Sequence, residues 1–174
     1  NINFNGKAIT LKSENDASTT IIDGSGAVGS IVTFDSGENA NSILEGFTLT
    51  NGFVDGIISQ DRAGGIICIA SSPTINDCVL LSNTSWWPVN GRKASGGMYV
   101  NGGGSPTING CTFTNNYASW GGGGLFVDNS AVSLTNCIFD DNTAGVEGGA
   151  VYILNGLQGS SISRIRNCTF TENS

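Results

Sequence analysis

The chain has no histidine, only three prolines, and seven lysines and arginines against fourteen aspartates and glutamates, for a net charge of −7. Each shortage excludes something. Without a basic stripe to follow a phosphate path, a nucleic-acid partner is set aside. No apolar run approaches the length that spans a bilayer, so no membrane span is expected. The opening residues, Asn1 to Gly6, are polar rather than signal-like, so either a signal has been removed or the chain is a fragment. Charged residues make up only 12% of a chain that carries 26 glycines, a composition unlike a disordered or a helical protein. No stretch shows a helical period of apolar residues. What is left is a single β-rich domain over residues 1–174.

What is present is a repeat. Leu44, Ile75, Ile108, Leu134 and Ile165 are followed three residues later by Phe47, Cys78, Cys111, Cys137 and Cys168, and two residues further by Leu49, Leu80, Phe113, Phe139 and Phe170. Just before each member of the Phe/Cys column stand Gly46, Asp77, Gly110, Asn136 and Asn167. Only residue types that tolerate a positive φ occur there, which marks a sharp corner. Three residues past the aromatic column come Gly52, Asn83, Asn116, Asn142 and Asn173, an expected asparagine ladder. From 47 to 78, 111, 137 and 168 the steps are 31, 33, 26 and 31, a period that signals a solenoid.

A second motif alternates with the first: Gly64-Gly65-Ile66-Ile67-Cys68, Gly96-Gly97-Met98-Tyr99-Val100, Gly123-Gly124-Leu125-Phe126-Val127 and Gly149-Ala150-Val151-Tyr152-Ile153. Strand runs this short, recurring at so long a period, satisfy their backbone groups by stacking on the strand one coil later. The expected fold is an all-β, right-handed parallel β-helix of about five to six coils with three short parallel sheets, the hand following from the crossover rule. Residues 1–37 read as a degenerate version of the same coil. Alternation puts Ile67, Tyr99, Phe126 and Tyr152 outward. Gly65, Gly97, Gly124 and Ala150, two residues back, are expected to leave a groove beside them, exposed or covered by something outside this chain. Four of the five cysteines share a column with Phe47, so they are expected to be reduced, buried thiols that pack as small hydrophobes.

The double-glycine strands joined to Phe113-Thr114-Asn115-Asn116, Phe139-Asp140-Asp141-Asn142 and Phe170-Thr171-Glu172-Asn173 resemble the repeats of bacterial polymorphic outer-membrane proteins and, more widely, right-handed β-helix surface proteins. The resemblance covers roughly residues 43–174. It implies an extracellular or cell-surface location and a non-enzymatic adhesive or structural role, including filament formation or glycan binding. The same class holds polysaccharide lyases and hydrolases, so a fragment of a carbohydrate-active enzyme is the alternative.

Variable turns on a rigid scaffold are where function usually lies. Two of them carry Trp86, Trp87, Tyr117 and Trp120, and Arg62, Arg92 and Lys93 stand in the same set of turns. Trp86, Trp87, Trp120, Tyr99, Phe126 and Tyr152 are therefore the candidate contact surface, and the competing reading has the turn aromatics folding back as a local lid over the tyrosine column. Carboxylates suit catalysis poorly: Asp140 and Asp141 are adjacent and diverge, and although Glu147 and Asp128 could approach Asp140, nothing repeats that arrangement in the neighbouring coil. No catalytic residue, metal site or cofactor is assigned. Exposed Thr48/Thr50, Thr112/Thr114 and Thr169/Thr171 invite comparison with ice-binding solenoids, a remote alternative since Val79/Leu81 and Ile138/Asp140 interrupt the rank. Asn83 and Asn167 match the N-glycosylation pattern, although both also have structural reasons to be Asn. The expected partners are a glycan or a second copy stacking end to end, with the chain either an excerpt of a longer solenoid or a stacking subunit.

Overall fold

The computed structural model describes residues 1–55, 63–87, 94–154 and 162–174. It is a parallel β-solenoid of about five turns, with no helix among the described residues. Three sheets have six strands each. The double-glycine sheet stacks Ile2–Asn3, Val32–Phe34, Ile66–Ile69, Met98–Asn101, Leu125–Asp128 and Val151–Leu154. The isoleucine sheet stacks Thr10–Lys12, Ile43–Glu45, Thr74–Asn76, Thr107–Asn109, Ser133–Thr135 and Arg164–Arg166. The phenylalanine sheet stacks Ile21–Asp23, Thr48–Thr50, Val79–Leu81, Thr112–Thr114, Ile138–Asp140 and Thr169–Thr171.

The expectation of three sheets misses the rest of each coil. Phe53–Asp55, Thr84–Trp86, Tyr117–Ala118 and Thr143–Ala144 form a fourth, short sheet, and Ala94–Ser95 pairs with Gly121–Gly122 in a fifth. Runs of two or three residues are too short to show alternation, so nothing in their residue types announces them.

Register is set by the inward columns. Leu44, Ile75, Ile108, Leu134 and Ile165 are paired in sequence, as are Leu49, Leu80, Phe113, Phe139 and Phe170. A slip of one residue would turn each of these side chains to water. Phe113 stacks on Phe139 at 4.5 Å and Phe139 on Phe170 at 5.1 Å, both within 7° of parallel. One continuous core runs from Phe4 to Phe139, and burial of each large apolar side chain in it contributes ~1.5–3 kcal/mol. Cys78, Cys111 and Cys137 lie in this core as free thiols, with Cys168 half-buried at the end of the column. Cys111 Sγ donates to Ile75 O at 3.6 Å and Cys137 Sγ to Ile108 O at 3.7 Å, each reaching the coil before.

The asparagine column forms the ladder. Nδ2 of Asn83, Asn116 and Asn142 donates to Oδ1 of the next asparagine at 3.1, 2.9 and 2.9 Å, and also to Leu49 O, Leu80 O and Phe113 O in the coil before. The backbone N–H groups of Gly52, Asn83, Asn116 and Asn142 donate to the same row of Oδ1 atoms at 2.9–3.2 Å. Buried amides are thus satisfied on both sides, which is the condition for placing them in a core.

The expected corner is present: φ is positive at Gly46, Asp77, Gly110, Asn136 and Asn167. A second left-handed column lies one residue before the ladder, at Asn51, Ser82, Asn115, Asp141 and Glu172, with φ of 51–57°. Ser82 and Glu172 are poor residues for that conformation, so stacking imposes it on them.

The double glycines answer to crowding. Gly64, Gly96, Gly123 and Gly149 lie against backbone of the short-sheet side, and a Cβ on Gly96 would sit 2.6 Å from Tyr117 N and 2.7 Å from Asn83 O. The second glycines correct an expectation. A Cβ on Gly97 would point at the carbonyl of Gly124 and come 3.1 Å from the Phe113 ring, and Ala150 packs against the main core. This column faces inward and leaves no external groove. The chain bends at Gly64-Gly65 and its equivalents before the strand begins, which breaks the parity that alternation assumes.

Candidate contact surface

The tyrosine column is a second, outer hydrophobic cluster. Ala63, Ile67, Tyr99 and Phe126 pack together with Ile69, Tyr152 and Leu154 beside them, and Tyr99 and Phe126 are 1% and 0% exposed. Ring centroids are 5.3 Å apart for Tyr99–Phe126 and 5.0 Å for Phe126–Tyr152. The expected exposure of this column, or its cover by something outside the chain, is therefore corrected: it is shielded within the chain. The hydroxyl of Tyr99 donates to Asp128 Oδ2 at 3.1 Å and accepts from Asn101 Nδ2 at 2.7 Å, and Asn101 Nδ2 also reaches Asp128 Oδ2 at 3.1 Å. Asp128 is consumed by this triad and by Asn129, which donates to its other oxygen at 3.0 Å.

The tryptophans divide. Trp87 is buried, and its backbone N–H donates to Ser119 Oγ at 2.8 Å. Trp86, the next residue back, points outward from the short sheet and is 47% exposed. Its ring lies 6.4 Å from Tyr117 at an interplanar angle of 22°. Trp120 and Tyr152 are half-buried. Of the six proposed surface residues, Tyr99, Phe126 and Trp87 are closed to a partner, and Trp86 is the most open. Arg62, Arg92, Lys93 and Pro88 lie outside the described residues.

Phe53 belongs with Trp86 and was not among the candidates. It stands opposite Thr84, which stands opposite Tyr117, which stands opposite Thr143, one column along the outer face of the short sheet. Its signal in the sequence was only an aromatic beside a turn. Exposed apolar residues also line the phenylalanine sheet, where Ile21 and Ile138 alternate with threonines.

Several polar residues receive definite places. Asn83 is fully buried with both its amide hydrogens bonded, so the folded chain closes it to glycosylation, whereas Asn167 is exposed at its corner. Asp140 accepts from Thr171 Oγ1 at 2.6 Å, and Asp141 occupies the left-handed corner. No group of three or more Cys, Asp or Glu that could hold a metal occurs among the described residues. Glu38, a lone charge in a loop, turns out to be 2% exposed and knots three coils together. Its carboxylate accepts from Gly6 N at 2.8 Å, Ser36 N at 2.9 Å and Ser71 Oγ at 2.8 Å. Burial pushes its pKa up, but these hydrogen bonds outweigh burial and hold it below the usual glutamate value.

Residues 110–131 and 136–154 match the family model of the Chlamydia polymorphic membrane protein repeat. These two stretches carry the Phe113 and Phe139 strands, the ladder residues Asn116 and Asn142, and the double-glycine strands that follow them. Comparison with curated proteins and with solved structures finds no match. The chain is a β-solenoid, two consecutive coils of which match this repeat.

Proposed function

We propose that the chain is a non-enzymatic, adhesive module of a cell-surface protein, built as a rigid solenoid that carries its contact surface on the short-sheet side. The observation that carries this reading is the match of two consecutive coils to a membrane-protein repeat. The fold supports it: coil-to-coil pairing makes a stiff rod, while the turns that follow the ladder column, beside the exposed Trp86 and Phe53, vary in length. Apolar side chains this open on a sheet face are what a contact surface needs.

Attachment is the test. Beads coated with the folded chain should bind a panel of animal and bacterial cell surfaces above albumin-coated beads, and soluble chain should compete them off. Beads that adhere no better than albumin across the panel would remove the adhesive reading.

A further inference from the structure

We infer that Phe53, Trp86 and Tyr117 form a stacking platform for an uncharged glycan chain laid along the solenoid axis. The inference rests on the adhesive reading and names the chemistry of its ligand. Along the outer face of the short sheet one column runs Phe53, Thr84, Tyr117, Thr143, so that ring and hydroxyl alternate coil by coil. Strands in a parallel sheet lie ~4.8 Å apart, which sets the two rings of the column ~9.6 Å apart. An extended chain of pyranose rings advances by about one strand spacing per sugar, so every second sugar meets a ring and the sugar between meets a threonine hydroxyl. Trp86 stands two residues along the strand from Thr84, with its ring nearly parallel to that of Tyr117. It adds a third ring, stacked against that of Tyr117.

Three properties select this occupant. The C–H face of a sugar packs on an aromatic face while its hydroxyls bond to the side, which matches rings interleaved with Thr84 and Thr143. The chain is acidic, with a net charge of −7; Lys12, Arg164 and Arg166 are on the isoleucine sheet and Lys7 is in the turn leading to it, while Arg62, Arg92 and Lys93 belong to the turns near the platform and lie outside the described residues. Among the described residues the one carboxylate on the face is Asp55, opposite Trp86. Over the whole chain that net charge favours an uncharged ligand over an anionic one. Size decides against a protein. With Trp86 47% and Phe53 38% exposed, three aromatic side chains of 150–250 Å² offer roughly 200–300 Å², well short of the ~800 Å² per partner of a stable protein interface.

The test titrates the folded chain by calorimetry with cellohexaose, chitohexaose and mannohexaose, and with hexagalacturonate and a heparin hexasaccharide as anionic probes. At least one uncharged hexasaccharide should bind. Trp86→Ala and Tyr117→Ala should each weaken it by about tenfold or more, Trp86→Phe should stay within about threefold, and Ile21→Ala, an exposed apolar control on another sheet, should change nothing. Circular dichroism identifies any variant that fails to fold, and Phe53→Ala then serves as a second probe of the same column. Failure of all three uncharged probes, binding by the anionic probes alone, or full affinity in Trp86→Ala would overturn the inference. The bead assay run in parallel separates the two proposals. Beads carrying Trp86→Ala that adhere like wild type sink the platform and leave adhesion standing, and a Trp86-dependent titration with non-adherent beads does the reverse.

Discussion

Asn116→Ala isolates the contribution of the amide ladder. In the folded chain Asn116 is 1% exposed, and its Oδ1 accepts from the backbone N–H of Asn83 at 3.0 Å and from Asn83 Nδ2 at 3.1 Å. Truncation leaves the Asn83 backbone N–H and one of the two Asn83 Nδ2 hydrogens buried without their partner, while the other hydrogen keeps Leu49 O. A buried donor stripped of its partner costs ~1–3 kcal/mol, so the variant should lose about 2–6 kcal/mol. Asn173→Ala removes the same two kinds of bond from Asn142, but at a half-buried position where water replaces the lost acceptor, and about 1 kcal/mol is expected. Urea unfolding followed by far-ultraviolet dichroism gives the global cost. Because solenoids can open locally, amide exchange at Asn83 gives the local one, with an acceleration of about a hundredfold expected in Asn116→Ala. A cost below ~1 kcal/mol, or an Asn83 amide that exchanges at the wild-type rate, would refute the claim that the ladder bonds hold the coils together.

Gly96→Ala places a methyl between Tyr117 N and Asn83 O, both backbone atoms that cannot yield, and should destabilise by ~1–3 kcal/mol or more; a neutral effect in urea unfolding would show that the closure is not crowded. Glu38 is depressed in the folded state, so its contribution is fully present above the ordinary glutamate range and fades as pH falls through the folded value. The gap in urea midpoint between wild type and Glu38→Gln should accordingly be largest at neutral pH and close on acidification, and a pH-independent gap would contradict this. Burial pushes the Cys137 thiol up to about 11, and Cys68 is pushed well above the usual thiol value, so native alkylation at mildly basic pH should mark the half-buried Cys168 first; equal labelling of Cys137 would mean the core admits solvent.

Columns were legible where a residue type is demanded by the coil itself. Leu44 to Ile165, Leu49 to Phe170 and the asparagines recur because each stacks on its own equivalent, and the Gly46 to Asn167 corner shows itself through residues that accept a positive φ. The second corner was not legible, since Ser82 and Glu172 carry no such mark and adopt φ of 53° and 51° because their neighbours above and below do. Alternation misled at Gly65, Gly97 and Gly124, which it placed outward by counting through a bend. At Trp86-Trp87 alternation does hold, with one ring out and the other in. Glu38 reads as an ordinary surface charge because its three donors come from residues 6, 36 and 71, and nothing local announces that they meet.

The amide ladder inspects one residue per coil and is indifferent to how much chain lies between. Its Nδ2–Oδ1 bonds are 3.1 Å across a 33-residue step and 2.9 Å across a 26-residue step. Seven residues come or go without either neighbour noticing. A coil therefore behaves as an exchangeable cassette with a standard coupling: any insert that delivers an asparagine to the row and a pair of glycines to the closure can be spliced in, trimmed or swapped, and the coils on either side keep their bonds. Diversity then accumulates in the turns at little structural expense, so a lineage can keep altering what such a rod displays while leaving the rod unchanged.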